Sequence, residues 1–327
     1  MLKEDVLSVL KEREDYCSGQ ELCERFHVTR TAVWKAIARL KEEGYQIEAR
    51  RNRGYFLRPV GDVMNETELK EALAGIAFLR GSSFFPVIDS TNSELRRRAE
   101  QGAQAPILVV ADQQSAGRGR RGRSWDSPAG TGVWMSLLLR PTVRPERASV
   151  LTLVCALAVA DAIREVTGLE TGIKWPNDVV IGGKKVCGIL TEMNTDMDAI
   201  SYVILGIGIN VNTEYFPEEI RATATSLKIE RGEAVSRTAV IGAIIRRFAD
   251  YFEKFEKTED MSALKDSYEA QLVNRGREVL VLDPRGEYRG SAQGITLTGE
   301  LLVRTEKGDI AAIRSGEVSV RGIYGYV

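Results

Sequence analysis

The spacing of apolar side chains divides the chain into stretches of different period. Val6, Leu7 and Leu10 recur at helical spacing near the start, and Leu22 and Phe26 do so after Ser18, a residue suited to capping a helix. His27 and Val28 mark a tight turn. Thr29 or Thr31 then opens a third helix whose inner face is Val33, Ala36, Ile37 and Leu40, with Gly44 as its stop. Trp34 and Lys35 fall on or beside its outer face. Two strand-like runs, 45–49 and 55–57, flank Arg50-Arg51-Asn52-Arg53-Gly54. That order predicts a winged helix-turn-helix over residues 1–60.

Residues 61–65 read as a linker, and from Thr67 the pattern becomes mixed α/β. Strands are predicted at 84–88, 107–110, 133–139, 171–174, 179–181, 185–192 and 202–209. Helices are predicted from Asp89 to about Gly102 and at 145–166, 237–255 and 261–273. Hairpin signals such as Gly182-Gly183 favour a mixed or antiparallel sheet over a doubly wound parallel one. This block is taken as 66–274. From about 276 come short strands at 278–282, 288–295, 301–305, 309–313 and 317–321, with a turn at Asp283-Pro284-Arg285-Gly286, which suggests a small β-barrel over 275–327. The fold class is α+β multidomain.

Composition narrows the function classes. With 327 residues, 43% hydrophobic and 28% charged, the chain is neither collagen-like nor disordered nor a coiled coil. A single histidine, His27, argues against multi-histidine metal sites and a Ser-His-Asp triad. Four cysteines without CxxC spacing argue against a zinc site and for reduced thiols in a cytoplasmic protein. The longest apolar run, 148–163, is too short to span a bilayer and contains Asp161. Net charge is −1 overall, but the sign is unevenly placed. Residues 1–27 hold 4 basic and 7 acidic side chains, whereas 28–58 hold 8 basic and 3 acidic. The basic surplus gathers on the third helix and the wing, where DNA phosphates would need it. Thr29, Arg30, Thr31 and Lys35 suit base edges in a major groove, and Arg50, Arg51 and Arg53 suit the wing's contacts.

Between two strands stands Gly117-Arg118-Gly119-Arg120-Arg121-Gly122-Arg123-Ser124-Trp125. It contains GxGxxG, but no helix pattern follows, so the dinucleotide reading fails, and no GxxxxGK[ST] occurs. Glycines allow close approach of backbone to a ligand, and forked guanidinium groups suit phosphate and carboxylate. Such a loop would order around an anion. An RGG-type RNA-binding segment or a solvated basic loop has the same composition. Three further clusters are Lys174-Trp175-Pro176-Asn177-Asp178, the strand Lys185-Val186-Cys187-Gly188-Ile189-Leu190, and Gly206-Ile207-Gly208-Ile209-Asn210-Val211-Asn212.

These runs, with Asp89-Ser90-Thr91-Asn92, resemble the biotin–protein ligases, and with the N-terminal winged helix the chain resembles those that also act as biotin operon repressors. The resemblance covers nearly the whole chain. It implies that biotin's carboxylate is joined to the α-phosphorus of ATP, with magnesium, and that biotin passes from biotinyl-5′-AMP to a lysine of a carrier domain. It implies biotin contacts from Ser90, Thr91, Asn92, Gln114, Arg118, Gly119, Arg120 and Lys185. Nucleotide contacts would come from Arg121, Trp125, Asn177 and Asn210. Arg118, Arg120, Lys185 and Asp178 would do the catalytic work, with no metal-ligating side chain assigned. Arg314-Ser315-Gly316-Glu317 would reach toward the nucleotide or form a surface turn, and the C-terminal barrel would be SH3-like. Partners would be carboxylase carrier domains, operator DNA and a second copy in a ligand-induced homodimer, with no membrane. The alternatives are a lipoate-type ligase, a ligand-sensing transcription factor without catalysis, and an RNA-binding protein.

Overall fold

A computed structural model describes residues 2–58, 62–196, 199–282, 286–314 and 319–322. Residue Gly61 of the expected linker, most of the turn at Asp283-Pro284-Arg285, and Ser315-Gly316-Glu317 lie outside them. The chain forms two compact units, Met1–Glu71 and Ala72–Val327.

In the first unit, α1 (Leu2–Lys11), α2 (Gly19–Phe26) and α3 (Arg30–Glu42) precede a hairpin of β1 (Ile47–Arg50) and β2 (Gly54–Leu57). The capping signals hold: Ser18 Oγ accepts from Glu21 N at 3.0 Å, and Thr29 Oγ1 accepts from Ala32 N at 3.3 Å. Val33, Ala36, Ile37 and Leu40 are buried with Val6, Leu7, Leu10 and Leu22 in one core. The wing is tied back to the segment before α2, because Cys17 and Tyr55 exchange both backbone hydrogen bonds at 2.8 Å. That closeness requires glycine at 54: its φ is +105°, and a Cβ there would fall on the Cys17 carbonyl. Helix α4 (Glu66–Ala72), which sequence periodicity did not resolve, ends where the units divide.

The second unit is built on seven strands: β3 (Gly81–Ile88), β4 (Ile107–Gln114), β5 (Gly132–Leu139), β6 (Gly172–Lys174), β7 (Asp178–Ile181), β8 (Lys184–Asp196) and β9 (Ala199–Asn210). Their order is β3-β4-β5-β9-β8-β7-β6, with β3 and β4 parallel and every other pair antiparallel. This is the mixed sheet expected. Helix α5 (Thr91–Glu100) follows β3. Helix α6 (Val150–Thr167) is shorter than predicted, since Pro145–Arg147 is a separate 3₁₀ turn. Two short helices, α7 (Glu218–Arg221) and α8 (Leu227–Arg231), come next, then α9 (Arg237–Thr258) and α10 (Lys265–Gln271). Helix α10 covers only the middle of its predicted span.

Strand residues alternate between two faces. One face, with Thr191, lies against α6, where Thr152 and Thr191 share a hydrogen bond of 2.7 Å. Helix α6 is buried from Val150 to Ala160. This explains the apolar run at 148–163 as core. Asp161 within it is satisfied by Tyr251 at 2.6 Å and Gln271 at 2.9 Å. Among the described residues no helix is long and apolar enough to cross a membrane. The opposite face lies under α5 and is where the polar motifs collect.

Five C-terminal strands, β10 (Glu278–Leu282), β11 (Tyr288–Ile295), β12 (Leu301–Thr305), β13 (Ile310–Ile313) and β14 (Ser319–Gly322), form an antiparallel sheet in the order β13-β12-β11-β10-β14. The sheet is pinned to the body of the second unit at two buried points, one in a turn and one at the end of β11. Trp175 Nε1 donates to Gly299 O at 2.9 Å, and Ile295 N donates to Glu269 Oε1 at 2.8 Å. Trp175 is 2% exposed, so Trp175→Phe leaves a buried carbonyl without its donor. The expected cost is about 1–3 kcal/mol, measurable as a lower midpoint in urea. An unchanged midpoint would show that the bond adds nothing.

Candidate functional site

The sequence Gly206-Ile207-Gly208-Ile209-Asn210 places Gly206, Gly208 and Asn210 on one face of β9 and the two isoleucines on the other. Gly208 pairs with Gly188 of β8, and Gly206 with Ser136 of β5. The result is a floor of bare backbone. Side chains from elsewhere lie on it. A Cβ at Gly208 would stand 2.7 Å from Trp125 Nε1, and one at Gly188 would stand 3.0 Å from both Lys185 Nζ and Trp125. A Cβ at Gly206 would fall on Asn92 Oδ1.

Lys185 reaches this floor through a defect in pairing. Val179 pairs with Cys187 but Val180 pairs with Lys185, so Val186 is an extra residue in β8. Without such a bulge, residues 185 and 188 would point to opposite faces. With it, Lys185 Nζ lies 5.1 Å from the centre of the Trp125 ring and 2.6 Å from Asp178 Oδ1. Asn177 comes from the turn between β6 and β7, and Asp178 opens β7. Asn177 is held by two bonds to Ile189, Nδ2 to O and O to N, each 2.9 Å. Its Oδ1 accepts from Arg120 Nη1 at 2.9 Å. Burial pushes the Arg120 guanidinium below its ordinary value, and the like charge of Arg121 adds to this.

The glycine–arginine loop folds into a tight hairpin. Gln114 N bonds Ser127 O at 3.0 Å, Trp125 N bonds Gly117 O at 2.9 Å, and Gly119 N bonds Arg123 O at 2.7 Å. Arg121 sits at its tip with φ +57°. Arg118, although exposed, donates to Ser93 Oγ at 2.8 Å, and Arg121 and Arg123 are exposed as well. The loop thus splits its arginines: Arg120 is partly buried against Asn177, and the other three are exposed, Arg118 tied to Ser93 at the surface.

The start of α5 forms the polar end of the groove. Ser90, Thr91 and Asn92 are all buried. Gln114 Oε1 accepts from Thr91 N at 2.9 Å and from Thr91 Oγ1 at 3.1 Å, and Gln114 Nε2 donates to Ser127 Oγ at 3.0 Å. Just before them, two hydrogen bonds from Arg97 hold the Asp89 carboxyl down at about 2. Asn210 is 8% exposed, and its Nδ2 donates to Thr225 O at 3.1 Å. Ser127, Ser136 and Glu192 were missed by sequence reasoning. Each is an ordinary polar residue in its own segment, and only the pairing of distant strands brings it to the groove.

In the first unit, Thr29, Arg30, Thr31 and Lys35 are exposed at the N-terminal end of α3, and Arg50, Arg51 and Arg53 are exposed on the wing. Tyr16 organises the wing: Arg50 and Arg53 lie 5.2 and 4.8 Å from its ring centre, and its hydroxyl donates to Glu48 at 2.6 Å. A tyrosine scaffold behind the wing was not foreseen, because residue 16 lies more than thirty positions upstream of the arginines it supports.

A backbone-floored groove ringed by amides, guanidinium groups and one lysine, in a chain that opens with a winged helix-turn-helix, defines a class: the chain belongs to the biotin–protein ligase family. Residues 84–210 match the biotin/lipoate A/B protein ligase family, 3–56 an HTH domain and 276–321 the biotin protein ligase C-terminal domain. Within that class it is similar over nearly its whole length to bifunctional members. It is 38% identical to the bifunctional ligase/repressor BirA of Bacillus subtilis, over 98% of each chain, and 29% identical to that of Escherichia coli, over 94% of each. The biotin protein ligase from Aquifex aeolicus, solved in complex with biotin and ATP, is 35% identical, with a TM-score of 0.65, covering 74% of this chain and 99% of that one.

Proposed function

We propose that this chain activates biotin with ATP to biotinyl-5′-AMP, transfers biotin to a lysine of a carrier domain, and represses transcription through its winged helix when the intermediate accumulates. The observation that carries the reading is the bulge at Val186, which sets Lys185 beside Trp125 and Asp178 on the glycine floor. A carboxylate and a polyphosphate repel each other, and a lysine with Arg118 and Arg120 at the groove would offset that charge and favour the transition state over the separated anions. In this reading Thr91 and Gln114, with Ser90, hold the biotin ring, and Asn92 serves it from behind through its bonds to Ser136 and Glu192. Gly119 lets the loop backbone close on the carboxyl. Trp125, Asn177, Asn210 and Arg121 border the nucleotide. Asp178 steers Lys185 and lies near the path of the acceptor lysine.

Magnesium fits as a companion of the triphosphate. Among the described residues no group of three or more His, Cys, Asp or Glu could cage an ion, and magnesium commonly binds through substrate phosphates with one or two carboxylates, as Asp178 would supply. When bound it would neutralise phosphate charge. The described cysteines are unpaired thiols, in keeping with a cytoplasmic setting.

The direct test is incubation with biotin, magnesium-ATP and a carrier domain, followed by mass analysis. One biotinyl adduct on one carrier lysine is expected. No adduct with biotin but one with lipoate would move the protein to the related lipoate chemistry, and ligand binding without pyrophosphate release would make it a sensor.

For the regulatory half, the intermediate would favour a homodimer spanning two operator half-sites. Operator affinity in a gel shift is therefore expected to rise with biotin plus ATP, and indifference to both would remove this half. Lys35→Ala should weaken that binding and, if Lys35 contacts a phosphate, lower the salt slope by about 1.

A further inference from the structure

Glu192 lies in β8 on the groove face, and its two carboxylate oxygens take different donors. Oε2 accepts from Asn92 Nδ2 at 2.8 Å, and Oε1 accepts from Arg96 Nη2 at 2.7 Å. A carboxylate in an ion pair can only accept. Asn92 must therefore turn its NH₂ group toward Glu192 and its carbonyl oxygen away. Behind it, Ser136 Oγ lies 2.5 Å from that oxygen, so the single Ser136 proton is committed to Asn92. Toward Thr91 Oγ1, at 2.6 Å, Ser136 can then only accept. Thr91 therefore directs its own proton inward to Ser136, because a 2.6 Å contact between two hydroxyl oxygens needs a proton between them. Its hydroxyl keeps lone pairs, and no proton, for a ligand. Thr91, Asn92 and Ser136 are 3%, 4% and 0% exposed, so water does not scramble this order.

We propose that Glu192 is a positioning residue that fixes the direction of every hydrogen bond in the chain Asn92–Ser136–Thr91 and thereby makes Thr91 an acceptor for a ureido N–H of biotin. The proposal rests on the assignment of the groove to biotin. It makes selectivity for a ring that donates two N–H groups a property of a carboxylate that does not touch the ring.

Glu192→Gln tests this with almost no change in size. Arg96 still donates to the amide oxygen, so the new NH₂ group faces Asn92 and forces that amide to flip. Ser136 then accepts from Asn92 and gives its proton to Thr91, which loses a lone pair and must place its own proton elsewhere. The KM for biotin in pyrophosphate release is expected to rise about tenfold or more, as when a buried polar group meets the wrong partner. The KM for ATP and the kcat at saturating biotin should stay within about threefold, a split that general loosening of the fold would not produce. Adding Asn92→Asp to Glu192→Gln restores the order, because the carboxylate introduced at position 92 accepts both from the new amide at position 192 and from Ser136. That double variant should recover most of the lost biotin affinity.

A second readout uses carbamate analogues of biotin with oxygen in place of either ureido N–H. The wild type should discriminate against at least one of them about tenfold, and Glu192→Gln should lose most of that ratio. A wild-type KM in Glu192→Gln, or a folded double variant no better than the single one, overturns the proposal. If Glu192→Gln does not fold, the wild-type comparison decides: equal use of biotin and both analogues overturns it. A wild type that releases no pyrophosphate with biotin overturns the groove assignment itself, which separates that failure from failure of the relay.

Discussion

Lys185→Ala is expected to lower biotin-dependent pyrophosphate release by about 10²–10³-fold, the range seen when one preorganised charge is removed from a transition state. The ammonium group stands over bare backbone at Gly188, against the Trp125 ring, with Asp178 2.6 Å away. Its removal acts twice. The cation that would offset carboxylate and phosphate is gone, and Asp178 keeps a negative charge facing the anions. Both effects grow as charge concentrates at the reacting atoms, so kcat and kcat/KM should fall together. Lys185→Arg should not restore the rate, since the broader guanidinium fork does not fit where the lysine tip already lies at 3.0 Å from the Gly188 Cβ position. A folded Lys185→Ala protein within threefold of wild-type release would remove Lys185 from the chemistry.

Gly208→Val should abolish biotin binding as measured by calorimetry, with at least about a hundredfold loss of affinity, because inserted atoms in a packed site have nowhere to go. The added Cβ alone comes within 2.7 Å of Trp125 Nε1, and the branches would cover the floor opposite Gly188. Valine is a better strand former than glycine, so the strand itself should persist, and an unchanged far-ultraviolet spectrum would confirm that. Binding within tenfold of wild type would show that the ligand does not lie on β9.

Much of this arrangement was legible along the chain. The winged helix followed from three helical stripes, two capping residues and a basic turn, and its capping bonds and core are those expected. The mixed sheet followed from hairpin signals between short apolar runs. Differences arose where tertiary context outweighed local pattern. Pro145–Arg147 separates from α6 as a 3₁₀ turn, and α10 retains only seven residues of a longer helical pattern. The motifs that marked the groove were visible because each carries an unusual composition: glycines among arginines, alternate glycines in a strand, lysine beside small residues. Ser127, Ser136 and Glu192 carry no such mark.

Local sequence determined which residues are candidates for the chemistry, since alternation in GIGIN clears one face of a strand whatever lies opposite. It also determined the sign and place of the basic surface on α3 and the wing. What it did not contain was direction. The bulge at Val186 turns Lys185 onto the glycine face, and the pairing of β8 with β9 and β9 with β5 brings Glu192 and Ser136 within reach of α5. Register is a property of two strands together: slipping one residue sends a side chain to the other face, and no single segment encodes that choice.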